Sequence, residues 1–533
     1  MDTSQAKQLG QAITAVRPRQ MGALPLVFPV LTDLQVRQTT NALVSSQADI
    51  DLGRLVILLT LNRLLAPQPL YHVQEWLAET VLPQVLGIAP EQAYDNRLGR
   101  ALDRLHPYLG ALWAGLASRA IQVYNLDLNV LHWDITSIYF EGAYTDSELA
   151  AYGYSRDHRP DTKQVNLEVD VTHDGYVPVL YHVLPGNTAD ITRPVPHLQA
   201  LLRFLARPEL TDRRLRPMLV SDSKMVTPEA VLACHRHDLF YLGPLPNGTA
   251  TEALLRSVSA EELAVHKLAY RPQRVKADDP SFIPYQGVWR PFTFEHEGQR
   301  VTDRALVIWS TGKQRLDEQK RKTALKRLLN GLAHTQKKLN TRRYKKRAYV
   351  EQRLAAIQQG NAAKGLVDIG LQGEDGALAL TFRINHQRLA EAQALDGRYA
   401  LATNATHLST NEALISFKGQ DGVEKRFGTV KGPLLVHPLF VRTDHRIEGL
   451  AFITLLALLV RAVLERACRQ RGLAVMADRL FQAFAPLQAV DLIWAGGSLQ
   501  RRASEMNPFQ VQVLSALGWP LPETYAGLTP MVR

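Results

Sequence analysis

Apolar positions recur at three- and four-residue spacing through SQADIDLGRLVILLTLNRLL and PLYHVQEWLAETVLPQVLG, the pattern of helices that bury one face. Pro67 and Pro69 separate the two, and DNRLGRALDRLHPYLGALWAGLASRAI (95–121) keeps the helical period, with Asp95 or Asn96 placed to cap it. Residues 1–125 are therefore expected to form a helical N-terminal region. The period then changes. NVLHWDITSIYFEG (129–142) is rich in β-branched and aromatic residues and predicts strand, and KQVNLEVDVTHDGYVPVLYHVLPG (163–186) predicts a hairpin turning at His173-Asp174-Gly175. A helix over 194–207 and a strand at RPMLVSD (216–222) follow. Strand, hairpin, helix, strand is an α/β order.

Beyond residue 240 the pattern loosens. GPLPNG is a turn, VWRPFTFEH and ALVIWS are short strands, and 313–358 reads as a pair of long basic helices. DGRYALATN (396–404) has the character of a strand returning to the first core, and the next helix carries Glu424. GLAFITLLALLV (449–460) stops at Arg461, too short to span a bilayer, and reads as a buried helix. The stretch from 480, with AGGS (495–498), reads as a loosely packed tail. The expected division is a helical region 1–125, a first core segment 126–240, an insertion 241–395, a second core segment 396–480 and a tail 481–533.

Charge sharpens this picture. The 533 residues carry a net +11, yet Lys313–Arg347 alone holds 14 Lys/Arg against 2 Asp/Glu, so the rest of the chain is close to neutral. Clustered cations suit a phosphate backbone, which rewards them through counterion release; a solvated helix face is the plain alternative. Arg342, Arg343, Lys345, Lys346 and Arg347 flank Tyr344, a grouping suited to backbone contact plus stacking. Cys234 and Cys468 suggest neither a disulfide framework nor a metal cluster, and MDTSQAKQLGQ lacks the apolar core of a signal peptide; a bacterial cytoplasm is the simplest setting.

Three acidic residues carry the candidate chemistry. Asp134 and Asp222 each end an apolar, strand-like run, and Glu424 lies on a helix. Phosphodiester cleavage needs an activated water and neutralisation of developing charge, which two divalent ions about 4 Å apart supply. Magnesium takes oxygen ligands and keeps several waters, so a few carboxylates suffice. Singly, each residue has an ordinary reading: a turn or cap for Asp222, a surface position for Glu424 beside Lys425 and Arg426. His158 and His173 read as turn residues rather than metal ligands, and PGNTAD (185–190) as a turn and helix start. Arg156, Arg159 and Lys163 in SRDHRPDTKQ face either DNA or one another.

DITSIYFEG, the block YGYSRDHRPDTKQVNLEVDVTHDGYVPVLYHVLPGNTAD (152–190), VSDSKM and VEKRFGTVKGPLLVHPLFVRTDHRIEGLAFITLLAL together resemble the DDE transposases of bacterial insertion sequences, the cut-and-paste group. The resemblance runs over residues 70–465. It implies an RNase H-like mixed sheet flanked by helices, with a helical N-terminal region and a β-rich, basic helical insertion. It also implies Asp134, Asp222 and Glu424 as catalytic, metal-binding residues for two Mg²⁺ ions, with Mn²⁺ able to substitute. The implied activity is cleavage at transposon ends followed by strand transfer, performed by a homodimer on double-stranded DNA. The family's signature around the third acid places Lys431 in its lysine position, but Gln420 stands where the family has arginine and Phe417 where it has tyrosine. Losing that arginine removes a charge-assisted phosphate contact, about 1–2 kcal/mol. An RNase H-fold nuclease that cuts without joining, and a transposase-derived DNA-binding protein without catalysis, remain open alternatives.

Overall fold

The computed structural model describes residues 13–45, 48–210, 216–222, 224–272, 275, 282–434, 441–495 and 499–527. The opening MDTSQAKQLGQ, Ser223 of VSDSKM, residues 435–440 and the Gly496–Ser498 part of AGGS lie outside them. The chain divides into two compact units. One takes residues 1–225, 236–240 and 418–533, the other 226–235 and 241–417.

In the first unit, β1 (Val130–Phe140), β2 (Lys163–Thr172) and β3 (Pro178–Pro185) form an antiparallel set, and β4 (Met218–Val220) joins β1 in parallel, giving the order β3-β2-β1-β4. That order and polarity define an RNase H-like mixed sheet. The β2–β3 turn closes as its sequence predicts: Gly175 adopts φ +95°, and Thr172 Oγ1 accepts from Val177 N at 3.1 Å. Helix α1 (Leu109–Val123) packs on β3, and α2 (Pro194–Leu205) connects β3 to β4.

Helix α3 (Asp421–Lys431) and helix α4 (Asp444–Gln470) complete this unit. Helix α4 is longer than the apolar run in its sequence. At 27 residues it is long and apolar enough to cross a membrane, but 89% of its most apolar window is buried against helices of the N-terminal region. Its charged residues are paired: Glu465 with Arg426 at 2.7 Å, and Arg466 with Asp174 at 2.7 Å. It is a core helix.

The expectations for the tail and for one helix cap are corrected here. Residues 13–125 are mostly helical and hold one strand, Ile13–Gln20, which pairs with Gln488–Trp494, which in turn pairs with Leu499–Ala503. The final residues are therefore not a loose tail: Tyr525 is buried and packs edge-on to Phe28 at 6.0 Å. Asp95 does not cap its helix from outside. It is the first helical residue, and Tyr94 holds the cap position.

The second unit contains a hairpin, Gln286–His296 with Gln299–Trp309, turning through Glu297 and Gly298, both at positive φ. Arg398–Thr403 pairs with its second strand and, on the other side, with Phe240–Pro244. By compactness this strand falls in the second unit. Helices Thr311–Lys338 and Arg347–Gln358 fold against a small hairpin, Val367–Gln372 with Ala379–Ile384. Leu328, Leu332, Val350, Leu354, Val367 and Leu380 form the apolar core of that arm, leaving its cations on the outside.

Candidate active site

Pairing between β1 and β4 matches Val130 with Met218, Leu131 with Leu219 and His132 with Val220. Continuing that constant offset one further pair along the same face sets Asp222 beside Asp134. The electrostatics agree. Burial, reinforced by the Asp222 charge, pushes the Asp134 carboxyl up to about 7, while Arg156 and Lys224 act the other way. Two carboxylates 88 positions apart in sequence therefore share one field.

Helix α3 is held against the same strand. Gln420, just before its first turn, accepts from His132 Nδ1 at 3.1 Å and donates to Trp133 O at 2.9 Å. At the other end, Val430 lines an apolar pocket with Ile138 and Phe140. The helix thus runs alongside β1 in the same sense. Gln420 and Glu424 are four residues apart, hence on one helix face, so the turn bearing Glu424 travels beside the part of β1 bearing Asp134. Glu424 itself is exposed, and its acid range is raised by burial and by Asp421 rather than by the two aspartates. Arg426, on the opposite face, is buried; it bonds Tyr176 O at 3.0 Å, Gly175 O at 2.7 Å and Glu465. Its sequence neighbourhood suggested a surface helix, and only one side of α3 is surface.

The other candidates scatter. Lys431 pairs with Asp157 at 2.7 Å. Arg156 pairs with Asp190, Arg159 pairs with Asp161 at 3.0 Å and lies over the Tyr139 ring, and Lys163 donates to Tyr144 O at 2.6 Å. Arg156 and Arg159 thus hold carboxylates, and Lys163 a backbone carbonyl. Phe417 falls in the second unit, 6.4 Å from the Tyr399 ring. There too, Arg342, Arg343, Lys345 and Lys346 are exposed at the turn between the basic helices, and Arg347 is tied to Glu351 at 2.8 Å. Tyr344 is half-buried against the arm's apolar core and edge-on to Tyr349.

Sequence reasoning missed three features. Asp190, read as a turn residue, receives both Arg156 and Lys224. His132, read only as part of a strand, holds Gln420. Neither has a local signal; both emerge from tertiary pairing. The third is a buried cluster on the opposite face of the sheet. Glu168 receives Arg193 at 2.9 Å and His182 at 2.9 Å, and His197 reaches Asp170 at 3.1 Å. Glu168, His182 and His197 are close enough to hold a metal ion. Arg193 already occupies Glu168 with two hydrogen bonds, and two carboxylates face two cations once His197 is protonated. Against its burial, Asp170 and Glu168 push the His197 imidazolium up to about 9, so the cluster is balanced by a proton.

A family model described as a domain of unknown function (DUF4277) matches residues 16–116. No curated protein matches the chain. Among solved structures, the chain is similar to the piggyBac transposase synaptic complex with hairpin DNA, at 8% identity and a TM-score of 0.37, covering 89% of this chain and 82% of that one. It is also similar to a pre-cleavage Mos1 transpososome, at 19% identity and a TM-score of 0.16, over 32% of this chain and 55% of that one. The Mos1 paired-end complex with the left transposon end gives 18% identity and 0.16, over 39% and 62%.

Proposed function

We propose that this chain is a DDE transposase of the bacterial insertion-sequence type, which cuts DNA at transposon ends and joins the freed strand to target DNA. The observation that carries the reading is the convergence of Asp134 and Asp222 in one field, with the Glu424 helix tied alongside the same strand. An all-oxygen donor set suits Mg²⁺, with Mn²⁺ as a substitute. A carboxyl raised by burial and by its neighbour's charge is also a group that a divalent cation would relieve. Asp134, Asp222 and Glu424 would together hold two such ions. Bound there, the ions supply an activated water and neutralise the phosphate's developing charge.

The protein's own groups do the rest. The Gln420 and Arg426 anchors fix where the Glu424 carboxylate stands. The exposed cations of the 311–358 arm, together with Lys431, Arg156, Arg159 and Lys163, would contact the DNA backbone, several of them by exchanging an internal carboxylate for a phosphate. Two ends held by two protomers make a homodimer on DNA the expected assembly, in a bacterial cytoplasm.

The test is cleavage, with Mg²⁺ or Mn²⁺, of a duplex carrying the sequences that border the gene, by wild type and by Asp134→Ala, Asp222→Ala and Glu424→Ala. Cutting by wild type alone, with all variants still binding DNA, supports the reading. Variants that cut like wild type would remove these residues from the site. Joined product from pre-cut ends distinguishes a transposase from a nuclease that only cuts, and specific binding without any cutting favours a non-catalytic DNA-binding protein.

A further inference from the structure

Asp190 begins a single turn of 3-10 helix after PGNTA, and its carboxylate does something no turn requires. One oxygen, Oδ2, accepts from both Arg156 Nη2 and Lys224 Nζ. Each cation is also tied close to a catalytic candidate. The Arg156 backbone N donates to Ser137 Oγ at 3.3 Å, three residues beyond Asp134 on β1. The Lys224 backbone N donates to Asp222 Oδ1 at 3.0 Å, and its Nζ stands 3.8 Å from Asp222 Oδ2. Both cations act on Asp134. Asp190 and Arg156 are mostly covered, whereas Lys224 is 41% exposed and open to an incoming ligand.

We propose that Asp190 is a positioning residue that holds Arg156 and Lys224 as a two-cation clamp for the phosphodiester presented to Asp134 and Asp222. This rests on the reading of the site as a DNA-cutting centre. With Asp134 and Asp222 taken up by divalent ions, one carboxylate shared by two cations would leave a net positive charge beside it, which a phosphate oxygen would satisfy. Fixing both cations before the substrate arrives also removes the cost of orienting them during the reaction. The alternative is a staple that only pins 155–163 and 185–193 to the sheet.

The experiment uses the full chain and the same bordering-sequence duplex. Single-turnover cutting is followed in Mn²⁺, and binding by fluorescence anisotropy in Ca²⁺ across a salt series. Lys224→Met and Asp190→Asn are each expected to slow cutting by about 10- to 100-fold, as loss of a preorganised charge contact does. The double variant should be no more than about threefold slower than the slower single, because Asp190 acts through Lys224 and Arg156. Lys224→Arg should recover most of the rate. In Ca²⁺, Lys224→Met and Arg156→Met should each lower the slope of log affinity against log salt by about one, while Asp190→Asn leaves it unchanged. Equal melting midpoints establish that each variant folds.

If Asp190→Asn cuts like wild type, or if its effect and that of Lys224→Met multiply, the positioning role is wrong while the transposase reading stands. If wild type does not cut, that reading fails, and the salt series alone judges the clamp: unchanged slopes in Lys224→Met and Arg156→Met overturn it.

Discussion

His132 Nδ1 stands 3.1 Å from Gln420 Oε1, and that contact joins the strand of Asp134 to the helix of Glu424. The bond fixes the tautomer. Nδ1 carries the hydrogen, so Nε2 accepts from His173 Nδ1 at 2.9 Å. Burial pushes the His132 imidazole down to about 4, which keeps it neutral at physiological pH. Gln420→Ala removes the acceptor of a buried N–H and should cost about 1–3 kcal/mol in urea denaturation. Gln420→Arg, which restores the family's residue, supplies no acceptor and should not recover the loss. A Gln420→Ala cost near zero would show that the contact does not hold the helix.

Helix α3 approaches the β2–β3 turn closely at one point. A Cβ on Gly422 would lie 2.0 Å from the Tyr176 ring. Gly422→Ala should destabilise the protein by about 1–3 kcal/mol, as overpacking does. Because Tyr176 sits at φ +51°, Tyr176→Gly removes the ring and the backbone strain together and should restore stability in the Gly422→Ala background. If the double variant is no more stable than Gly422→Ala alone, the clash is not with Tyr176.

Arg426 and Glu465 form a pair that is almost wholly buried, with side-chain exposures of 7% and 2%. Arg426→Met leaves Glu465 uncompensated and frees two carbonyls of the turn, a loss of about 3–5 kcal/mol. Arg426→Met combined with Glu465→Met should recover much of it, read as the denaturation midpoint.

His197 titrates near 9 in the folded chain and near 6.5 unfolded. A raised base contributes stability that is complete below the unfolded value and is lost as pH rises through the folded one. Stability should therefore fall between pH 6.5 and 9, by about 3 kcal/mol. His197→Gln should flatten that window. Denaturation midpoints at pH 6.5, 7.5 and 9 check it, and a wild-type curve as flat as the variant's would show that His197 is neutral.

For the basic arm, replacing Arg342, Arg343, Lys345 and Lys346 with Gln should weaken duplex binding uniformly across sequences. If all four touch phosphate, the salt slope should fall by about 3–4. No change would return those side chains to the role of a solvated helix face.

Much of the sheet was legible because its signals are local. The Asp-Gly turn of the hairpin, the alternation on either side of it and the apolar run before Asp222 each lie within a few residues. The approach of Asp222 to Asp134 was readable only as a chemical requirement; the β1–β4 register and the Asp222 charge felt by Asp134 support it. What escaped depends on partners far away in sequence. Gln488–Trp494 has its partner strand at Ile13–Gln20. Asp190 looked like a turn residue because the two cations that define it come from other loops. Gln420 looked like a damaged DNA contact, whereas its amide fits between a histidine and a strand carbonyl. The exposed face of α3 was judged from its charged neighbours, and the burial of Arg426 could not be read from them.

The order of synthesis gives the basic arm a further meaning. Its apolar core is drawn entirely from residues 328–380, a continuous stretch that emerges from the ribosome before any part of helix α3. A polypeptide that stopped at residue 400 would contain that arm and both aspartates, but neither Glu424 nor the helix that carries it.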